Sequence, residues 1–473
     1  MSKNEIQDLL ALIDNSITIT DGQAAVTDAP RLRATIYRLA EVSALESGAR
    51  QGLARYIVRL AAQALGIFPA SINDLYMARG RGEVPNTFTV PAINLRTLSF
   101  DAARAVFRVA IPMNTSAFIF EIARSEVGYT DQRPAEYVTN MLAAAIAEGY
   151  TGPVFIQGDH FQVSAKRFAN DPETELQALR DLIQEAIQAG FYNIDIDTST
   201  LVDLSKTSIP EQQYLNTSLS AMFTAYIRSL EPQGVTISVG GEIGEVGGHN
   251  STEEELRAYM DGYGQELEKH GAGLAGISKI SIQTGTSHGG VVLPDGSIAQ
   301  VSVDFDTMLR LSRVSRQAYG IGGAVQHGAS TLPEDAFSKF VDAEAVEVHL
   351  ATNFQNMLFD RLPDDLRKEM YAYLDEKNAA DRKPGMTDEQ FYYKTRKNVI
   401  GPFKAATWRM PAEKKAEIGQ AWEAQFKKLF TSLAIADTRQ YVDRFIRTVT
   451  VVPDKRFYLG ASASEEDVSD LAD

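Results

Sequence analysis

The 473-residue chain contains no cysteine, which excludes several kinds of site at once. Disulfide bonds, thiolate-bound zinc and cysteine nucleophiles cannot form, so any zinc ion must be held by His, Asp or Glu. The chain also has only six histidines. The search for metal ligands is therefore limited to a few positions.

Long apolar runs and an excess of basic residues are also missing. No stretch approaches the roughly 18 to 20 uninterrupted apolar residues of a membrane span, and the start MSKNEIQDLL lacks the basic and apolar regions of a secretory signal. With 46 Lys and Arg against 62 Asp and Glu, the formal net charge is −16. Such a charge repels a phosphate backbone, so we expect a cytoplasmic protein that binds neither nucleic acid nor membrane.

The pattern of apolar residues divides the chain into three predicted segments. Residues 1–85 show helical spacing, as in GLARYIVRLAAQALG, and residues 361–473 turn polar and helical before a short acidic tail. Between them, residues 86–360 alternate short β-branched runs with longer amphipathic stretches, which is typical of βα units. We predict an α/β protein, a (β/α)8 TIM barrel at 86–360 with N-terminal and C-terminal helical extensions.

The central segment contains eight strand candidates with helical stretches between them. Eight strands each followed by a helix, within about 270 residues, match the size and order of a TIM barrel. The candidates span residues 87–94, 116–123, 153–160, 193–199, 236–244, 279–285, 323–330 and 345–353.

Three histidines fall at the ends of predicted barrel strands: His160 in GDH, His288 in GTSHG and His327 in VQHGAS. In a barrel of this type those ends converge on the carboxyl-terminal rim, where active sites lie. Three imidazoles with an open fourth position form the ligand set of a catalytic zinc. A single histidine near an apolar strand is more often a hydrogen-bonded core residue than a ligand, so the prediction depends on the three together.

At these histidines the chain resembles the class II aldolases, which include fructose- and tagatose-bisphosphate aldolases. The likeness runs from about Val90 to Phe359 through VPAIN, GDH, IDTS, GEIGEVGG, GTSHG, HGAS and LATN, in the family's order and spacing. The resemblance implies a lyase of glycolysis that cleaves fructose 1,6-bisphosphate to dihydroxyacetone phosphate and glyceraldehyde 3-phosphate through a zinc-stabilised enediolate. Family members are usually homodimers or larger, so it also implies a homo-oligomer that takes sugar phosphates.

The resemblance assigns roles to particular residues. It makes His160, His288 and His327 the zinc ligands and Glu242 a residue that can hold the ion in an alternative position. It makes Asp159 the catalytic acid or base at the aldehyde-derived hydroxyl, the alternative being that Asp159 only orients a ligand histidine. Contacts to substrate and phosphate fall to residues in the strand ends and Gly-rich turns: Asn94, Gly289, Gly328, Ser330, His349, Ala351 and Thr352.

Further carboxylates near the rim keep a second cation open as an alternative. Asp195 and Asp197 alternate with apolar residues on the fourth predicted strand, so both carboxylates point to the same side. We expect Asp197 at the rim. Ligand type biases the choice of metal without fixing it, so cobalt and manganese stay open beside zinc.

The chain departs from the family pattern at three single positions and in one loop. His349 stands where relatives usually have Asn, Ala123 where many have a phosphate-binding Ser, and Phe161 where a small residue is common. After GEIGEVGG, relatives carry loop glutamates that move a proton at the dihydroxyacetone phosphate carbon, whereas this chain reads HNSTEEEL.

Two interpretations of that loop stay open. His249 or Glu245 replaces the proton-transfer residue, or the acidic run only starts a helix. In the second case Ser251 or Thr252 forms a capping box with one of the glutamates that follow. We favour capping for the glutamates and keep His249 as a candidate catalytic residue.

Other functions are compatible with the same motifs. A ketose-phosphate C4-epimerase would use the same metal and enediolate chemistry but rejoin the fragments, and a tagatose 1,6-bisphosphate aldolase would differ only in substrate. A non-catalytic barrel that binds sugar phosphate is disfavoured, because a scaffold has little need for polar groups gathered at one rim.

Overall fold

The computed structural model describes residues 3–244, 248–285 and 302–460. The first 80 residues form five helices and three strands. In chain order they are α1 (Lys3–Leu12), β1 (Ile17–Thr20), β2 (Gln23–Val26), α2 (Ala29–Thr35), α3 (Tyr37–Leu45), α4 (Gly48–Ala64), β3 (Ile67–Ala70) and α5 (Asn73–Gly80).

The helical prediction for residues 1–85 is therefore only partly right. β1 and β2 form an antiparallel hairpin, and β3 pairs in parallel with a strand of the central sheet. Four-residue strands are too short for their periodicity to stand out from the surrounding helices. The domain boundary at residue 85 stays a proposal.

Eight parallel strands form a closed barrel in which each neighbours the next along the chain, and the last pairs with the first. The first residues of β6 pair with β3, which lies outside the barrel, and the residues of β6 from Gln157 onward pair with β7. The strands are β4 (Val90–Asn94), β5 (Ile119–Ala123), β6 (Gly152–Gln162), β7 (Asn193–Asp197), β8 (Ser238–Glu242), β9 (Lys279–Ser281), β10 (Ala324–Gln326) and β11 (Glu347–Leu350). The predicted TIM barrel is confirmed.

Helices connect the strands around the outside of the barrel, and several begin and end where the sequence signals it. The Asp171 side chain caps α10, which has Pro172 in its first turn and ends at Gly190 in the left-handed conformation. The helices are α6 (Ser99–Ala110), α7 (Arg124–Tyr129), α8 (Pro134–Glu148), α9 (Ala165–Asn170), α10 (Pro172–Ala189), α11 (Ile209–Leu230), α12 (Glu253–His270), α13 (Phe305–Tyr319), α14 (Phe337–Asp342) and α15 (Thr352–Phe359).

The C-terminal segment, described to residue 460, is mainly helical, with non-helical stretches such as 446–454. It comprises α16 (Asp364–Lys377), α17 (Asp388–Thr395), α18 (Lys404–Trp408), α19 (Ala412–Ser432), α20 (Arg439–Phe445) and α21 (Lys455–Gly460). α21 packs on α4 so closely that a Cβ at Gly52 would lie 1.9 Å from the Tyr458 carbonyl oxygen. Both terminal segments thus meet on the outside of the barrel. None of the helices described is long and apolar enough to cross a membrane.

Helix α5 lies at the amino-terminal end of the barrel. Arg79 donates to the carbonyls of Phe88 (2.6 Å) and Ala345 (3.1 Å), each of which lies two residues before the start of a barrel strand, β4 or β11. Tyr76, buried on the same helix, donates its hydroxyl to Glu347 inside the barrel. Through these contacts α5 covers the amino-terminal end of the barrel.

Candidate active site

Asp159 and His160 are consecutive residues of β6, and an ordinary strand would point them to opposite faces. The pairing of β6 with β7 shifts between Gly158 and Phe161, and His160 has a φ of +39°. A bulge of this kind re-aims side chains and is often found at active sites. As a result Asp159 Oδ1 lies 3.9 Å from His160 Nε2 and 3.8 Å from His327 Nδ1.

Phe161, one of the departures from the family pattern, packs behind this bulge. Its side chain is fully buried in the hydrophobic core, and its ring lies over Gly158 so closely that a Cβ there would come within 2.5 Å. The large residue at 161 therefore requires glycine at 158.

Three imidazole rings form a row across β6, β10 and β11. The ring centroids of His160 and His327 are 4.3 Å apart, and those of His327 and His349 are 4.0 Å apart. His160, Glu242 and His327 each offer one ligand atom, and these atoms lie within 4.8 Å of one another. Nitrogen and carboxylate ligands at this spacing fit a zinc ion. The predicted ligand His288 and its neighbour Gly289 lie outside the described residues.

Carboxylates surround His160. Its Nδ1 lies 3.2 Å from Asp197 Oδ2 and 3.4 Å from Glu242 Oε2. Burial and the charge of Asp197 raise the pKa of Glu242 to about 8. Burial alone would lower the pKa of His160, but Asp159 and Glu242 outweigh it and raise that pKa well above its ordinary value. A cation at this position would relieve the repulsion among the carboxylates.

Asp197 is held firmly beside His160. Its Oδ1 accepts hydrogen bonds from the Ser199 backbone N–H (3.0 Å) and hydroxyl (2.7 Å), and its Oδ2 accepts one from Gln162 at 2.6 Å. Asp197 therefore lies near the rim as expected, in a position to orient the imidazole of His160.

Below this level the barrel interior holds a buried polar network, of which the sequence analysis named only Asp195. Lys279 donates to Gln157 Oε1 (2.7 Å) and Asp195 Oδ2 (2.9 Å), and its ammonium also pairs with Glu347. The side chains of Lys279 and Glu347 are 1% and 0% exposed. Glu121, also fully buried, accepts from Gln157 at 3.0 Å.

The two-residue alternation of side chains along a strand could have predicted two members of this network, Gln157 and Glu347. Gln157 precedes Asp159 by two positions, and Glu347 precedes His349 by two. In a strand, residues two apart share a face. Once Asp159 and His349 are assigned to the interior, their polar partners on the same strands follow.

His349 joins the network to the rim. Its Nε2 lies 2.7 Å from Glu347 Oε1 in a hydrogen bond, while its Nδ1 lies 3.0 Å from Glu121 Oε2 and 3.2 Å from Asp159 Oδ1. Burial lowers the pKa of His349, but the charges of Glu121 and Asp159 outweigh it and raise that pKa well above its ordinary value. Burial and the charge of Asp159 raise the pKa of Glu121 to about 7.

The residues predicted to bind phosphate lie on the loops after β10 and β11. The Ala351 N–H donates to Ser330 Oγ at 2.6 Å, which ties the two loops together. Gly328 has a φ of +69°, a conformation that favours glycine. Thr352 is the first residue of α15, where backbone N–H groups suit an anion.

Two other predicted residues have partners elsewhere. The Asn94 amide is buried at the end of β4 and donates to Glu126 Oε2 at 2.6 Å. His249 is 56% exposed, and its nitrogens contact the Asn250 carbonyl (2.9 Å) and Glu255 (3.8 Å). Neither contact brings His249 to Asp159.

The capping interpretation of the acidic run is confirmed. α12 begins after Thr252, whose side chain accepts from the Glu255 N–H at 3.2 Å, while Glu255 accepts from the Thr252 N–H at 2.8 Å. The three glutamates of STEEEL therefore form the first turn of a helix. Glu245 lies outside the described residues.

Comparison with known proteins adds a family and a fold. The family model described as fructose-bisphosphate aldolase class-II matches residues 84–414. A search of curated proteins finds no match to the chain. Among solved structures, a probable tagatose 6 phosphate kinase from Sinorhizobium meliloti 1021 is 15% identical with a TM-score of 0.53, covering 76% of this chain and 99% of that one. At that identity the likeness shows the fold alone.

Two aldolase structures are similar at lower TM-scores. A fructose-bisphosphate aldolase from Campylobacter jejuni is 16% identical with a TM-score of 0.47, covering 79% of this chain and 97% of its own. The YdjI aldolase from Escherichia coli K12 is 12% identical with a TM-score of 0.46, covering 78% and 98%.

Proposed function

Because the chain belongs to the class-II fructose-bisphosphate aldolase family, we propose that it is a metal-dependent aldolase that reversibly cleaves fructose 1,6-bisphosphate to dihydroxyacetone phosphate and glyceraldehyde 3-phosphate. The observation that carries the proposal is the meeting of His160, Glu242 and His327 beside Asp159 at the open end of the barrel. These residues come from three strands, and only the fold brings them together.

The residues fit a zinc ion, with His160 and His327 as ligands, His288 as the proposed third and Glu242 as an alternative ligand. When bound, zinc supplies Lewis acidity toward the ketone oxygen of the sugar. No cysteine competes for the metal. The proposed phosphate contacts are the tied loops of Ser330 and Ala351.

Asp159 is the proposed acid–base residue. In the cleavage direction it takes the proton of the C4 hydroxyl while the bond between C3 and C4 breaks, and the ketone fragment keeps the electron pair. In the synthetic direction it returns that proton to the aldehyde oxygen. The role is supported by the position of Asp159 Oδ1, which lies 3.9 Å from His160 Nε2 and 3.8 Å from His327 Nδ1, the two proposed ligands.

The ketone fragment then needs a proton at C3. We keep His249 as the proposed donor, because it lies in the loop where relatives carry their proton-transfer residue and its side chain is 56% exposed. His249→Asn should slow exchange of the C3 proton of dihydroxyacetone phosphate with solvent by 10-fold or more. An unchanged exchange rate removes His249 from the mechanism.

The decisive experiment measures triose release from fructose and tagatose 1,6-bisphosphates by zinc-loaded and chelator-treated protein. His160→Ala and Asp159→Asn should each abolish release, and the chelator should do so reversibly. Conversion of fructose 6-phosphate to tagatose 6-phosphate without triose release would show an epimerase. Zinc-loaded protein that acts on none of these sugars refutes the proposal. Homo-oligomerisation and a cytoplasmic location stay predictions.

A further inference from the structure

A cleft between helices outside the barrel has no part in the proposed mechanism. It is lined by residues of α6 and α19 and by Tyr37, the first residue of α3, and its volume is about 290 Å³. Pockets that bind small molecules measure about 300–1,000 Å³. A cleft of this size, formed where the barrel meets both terminal segments, therefore suits a small ligand.

A glycine inside α19 keeps the cleft open. Glycine destabilises a helix interior relative to alanine, and at Gly52 the reason for it is a close approach, since a Cβ there would lie 1.9 Å from the Tyr458 carbonyl oxygen. Gly419 has no such neighbour, because a Cβ there would meet no atom within 4 Å. It lines the cleft together with Ala412 and Ala416. A larger side chain at position 419 would occupy the space of the cleft.

Two arginines of α6 at the cleft are already neutralised. Arg104 Nε lies 2.5 Å from Glu148 Oε1. Arg108 lies 3.0 Å from Glu148 Oε2 and 2.9 Å from Glu423 Oε1. Two cations thus face two carboxylates, and these four groups leave no net charge for a ligand to balance.

The charges that remain are one carboxylate and one ammonium on different helices. The side chain of Asp101, on α6, forms no hydrogen bond or ion pair with the residues that the structure describes, and its Oδ2 is buried. Lys415, on α19, donates to the Trp408 carbonyl at 3.1 Å and has no carboxylate partner in the same part of the chain. Burial raises the pKa of Asp101, and Lys415 is the cation that most opposes the rise. An unpaired carboxylate in such a place is costly.

We propose that the cleft binds an α-amino acid with an apolar side chain, its ammonium held by Asp101 and its carboxylate by Lys415. A zwitterion supplies one charge of each sign, which the two unpaired groups lack, and hydrogen bonds between charged groups are stronger than those between neutral ones. The apolar side chain lies against the Tyr37 ring and in the space beside Gly419. None of these residues belongs to the proposed aldolase site, so the inference does not rest on the proposed function.

Isothermal titration calorimetry of the full-length protein with L-valine, L-leucine and L-phenylalanine tests the proposal. At least one of them should bind with a dissociation constant of about 1 mM or below. Asp101→Asn and Lys415→Met should each weaken that binding by about 10- to 100-fold. Analogues that keep only one charge, such as 4-methylpentanoate and 3-methylbutylamine for leucine, should bind more weakly by a similar factor.

Gly419→Leu fills the cleft and leaves both charges in place, so it should abolish binding. Gly264→Leu is the matched control: Gly264 lies inside α12, where a Cβ also meets no atom within 4 Å, and this variant should bind as wild type does. If Gly419→Leu fails to fold by circular dichroism, Asp101→Asn and Lys415→Met decide.

The absence of binding heat with all three amino acids in wild type overturns the proposal. Equal binding of the single-charge analogues does so too, as does binding that survives Gly419→Leu or is lost in Gly264→Leu. None of these outcomes bears on triose release, so a failure here leaves the proposed function intact.

Discussion

Removing the buried ammonium of Lys279 should destabilise the protein far more than removing a surface lysine. Lys279→Met fills a similar volume but leaves Asp195 and Glu347 without their shared cation. Both carboxylates lie inside the barrel, 9% and 0% exposed. Buried charges that lose a partner cannot regain the solvation they gave up on folding.

The size of the effect follows from the contacts. Breaking a buried ion pair by removing one partner costs about 3–5 kcal/mol, and the Gln157 oxygen that accepts from Lys279 loses a hydrogen bond worth about 1 kcal/mol. We expect a loss of about 4 kcal/mol in the free energy of unfolding. Lys269→Met is the control, since its ion pair with Glu266 is 67% exposed on the lysine side and should contribute at most about 1 kcal/mol.

Urea unfolding of the metal-free proteins, followed by circular dichroism and tryptophan fluorescence, measures the difference, provided that the two transitions coincide. Adding Asp195→Asn and Glu347→Gln to Lys279→Met should recover part of the loss, because the unpaired charges are then gone. If Lys279→Met lies within 1 kcal/mol of Lys269→Met, the buried network does not stabilise the barrel as argued.

Three further changes are expected to alter stability in the same assay. Gly240→Ala places a Cβ 2.2 Å from Asp195 Oδ1 and should lower the free energy of unfolding by about 1–3 kcal/mol. Gly264→Ala in α12 meets no atom within 4 Å and should raise it by about 0.5–1 kcal/mol. Equal effects of the two variants would contradict the packing described for Gly240. Thr252→Ala removes the cap of α12 and should cost about 1 kcal/mol, while Thr252→Ser should not. Zinc at 100 times its dissociation constant should add about 2.7 kcal/mol, an increase that His160→Ala should reduce.

The loops show how local sequence can decide structure without deciding function. The capping box of Thr252 and Glu255 is a contact across three residues, so the sequence alone predicts it. His249 lies only three residues earlier, yet its role depends on where the segment before it lies. Local hydrogen bonds could be predicted, whereas the approach of a loop to a distant site could not.

The N-terminal strands show a different limit. β3 is four residues long and reads as part of a helical stretch, and only its pairing with Gly152–Phe155 of β6 makes it a strand. Its conformation is fixed by a partner 85 residues away in sequence, which a window of neighbouring residues cannot contain.

The sequence by itself determined the barrel, because eight buried strands alternating with amphipathic helices repeat one local pattern that has few ways to bury its apolar faces. It also placed Asp159, His160 and His327 at strand ends. Only the tertiary structure decided that the bulge at His160 aims two consecutive side chains inward. It alone decided that Glu121, Asp159 and Glu347 surround His349 while Lys279 pairs with Glu347, since a buried charge is stable only beside partners that other strands supply.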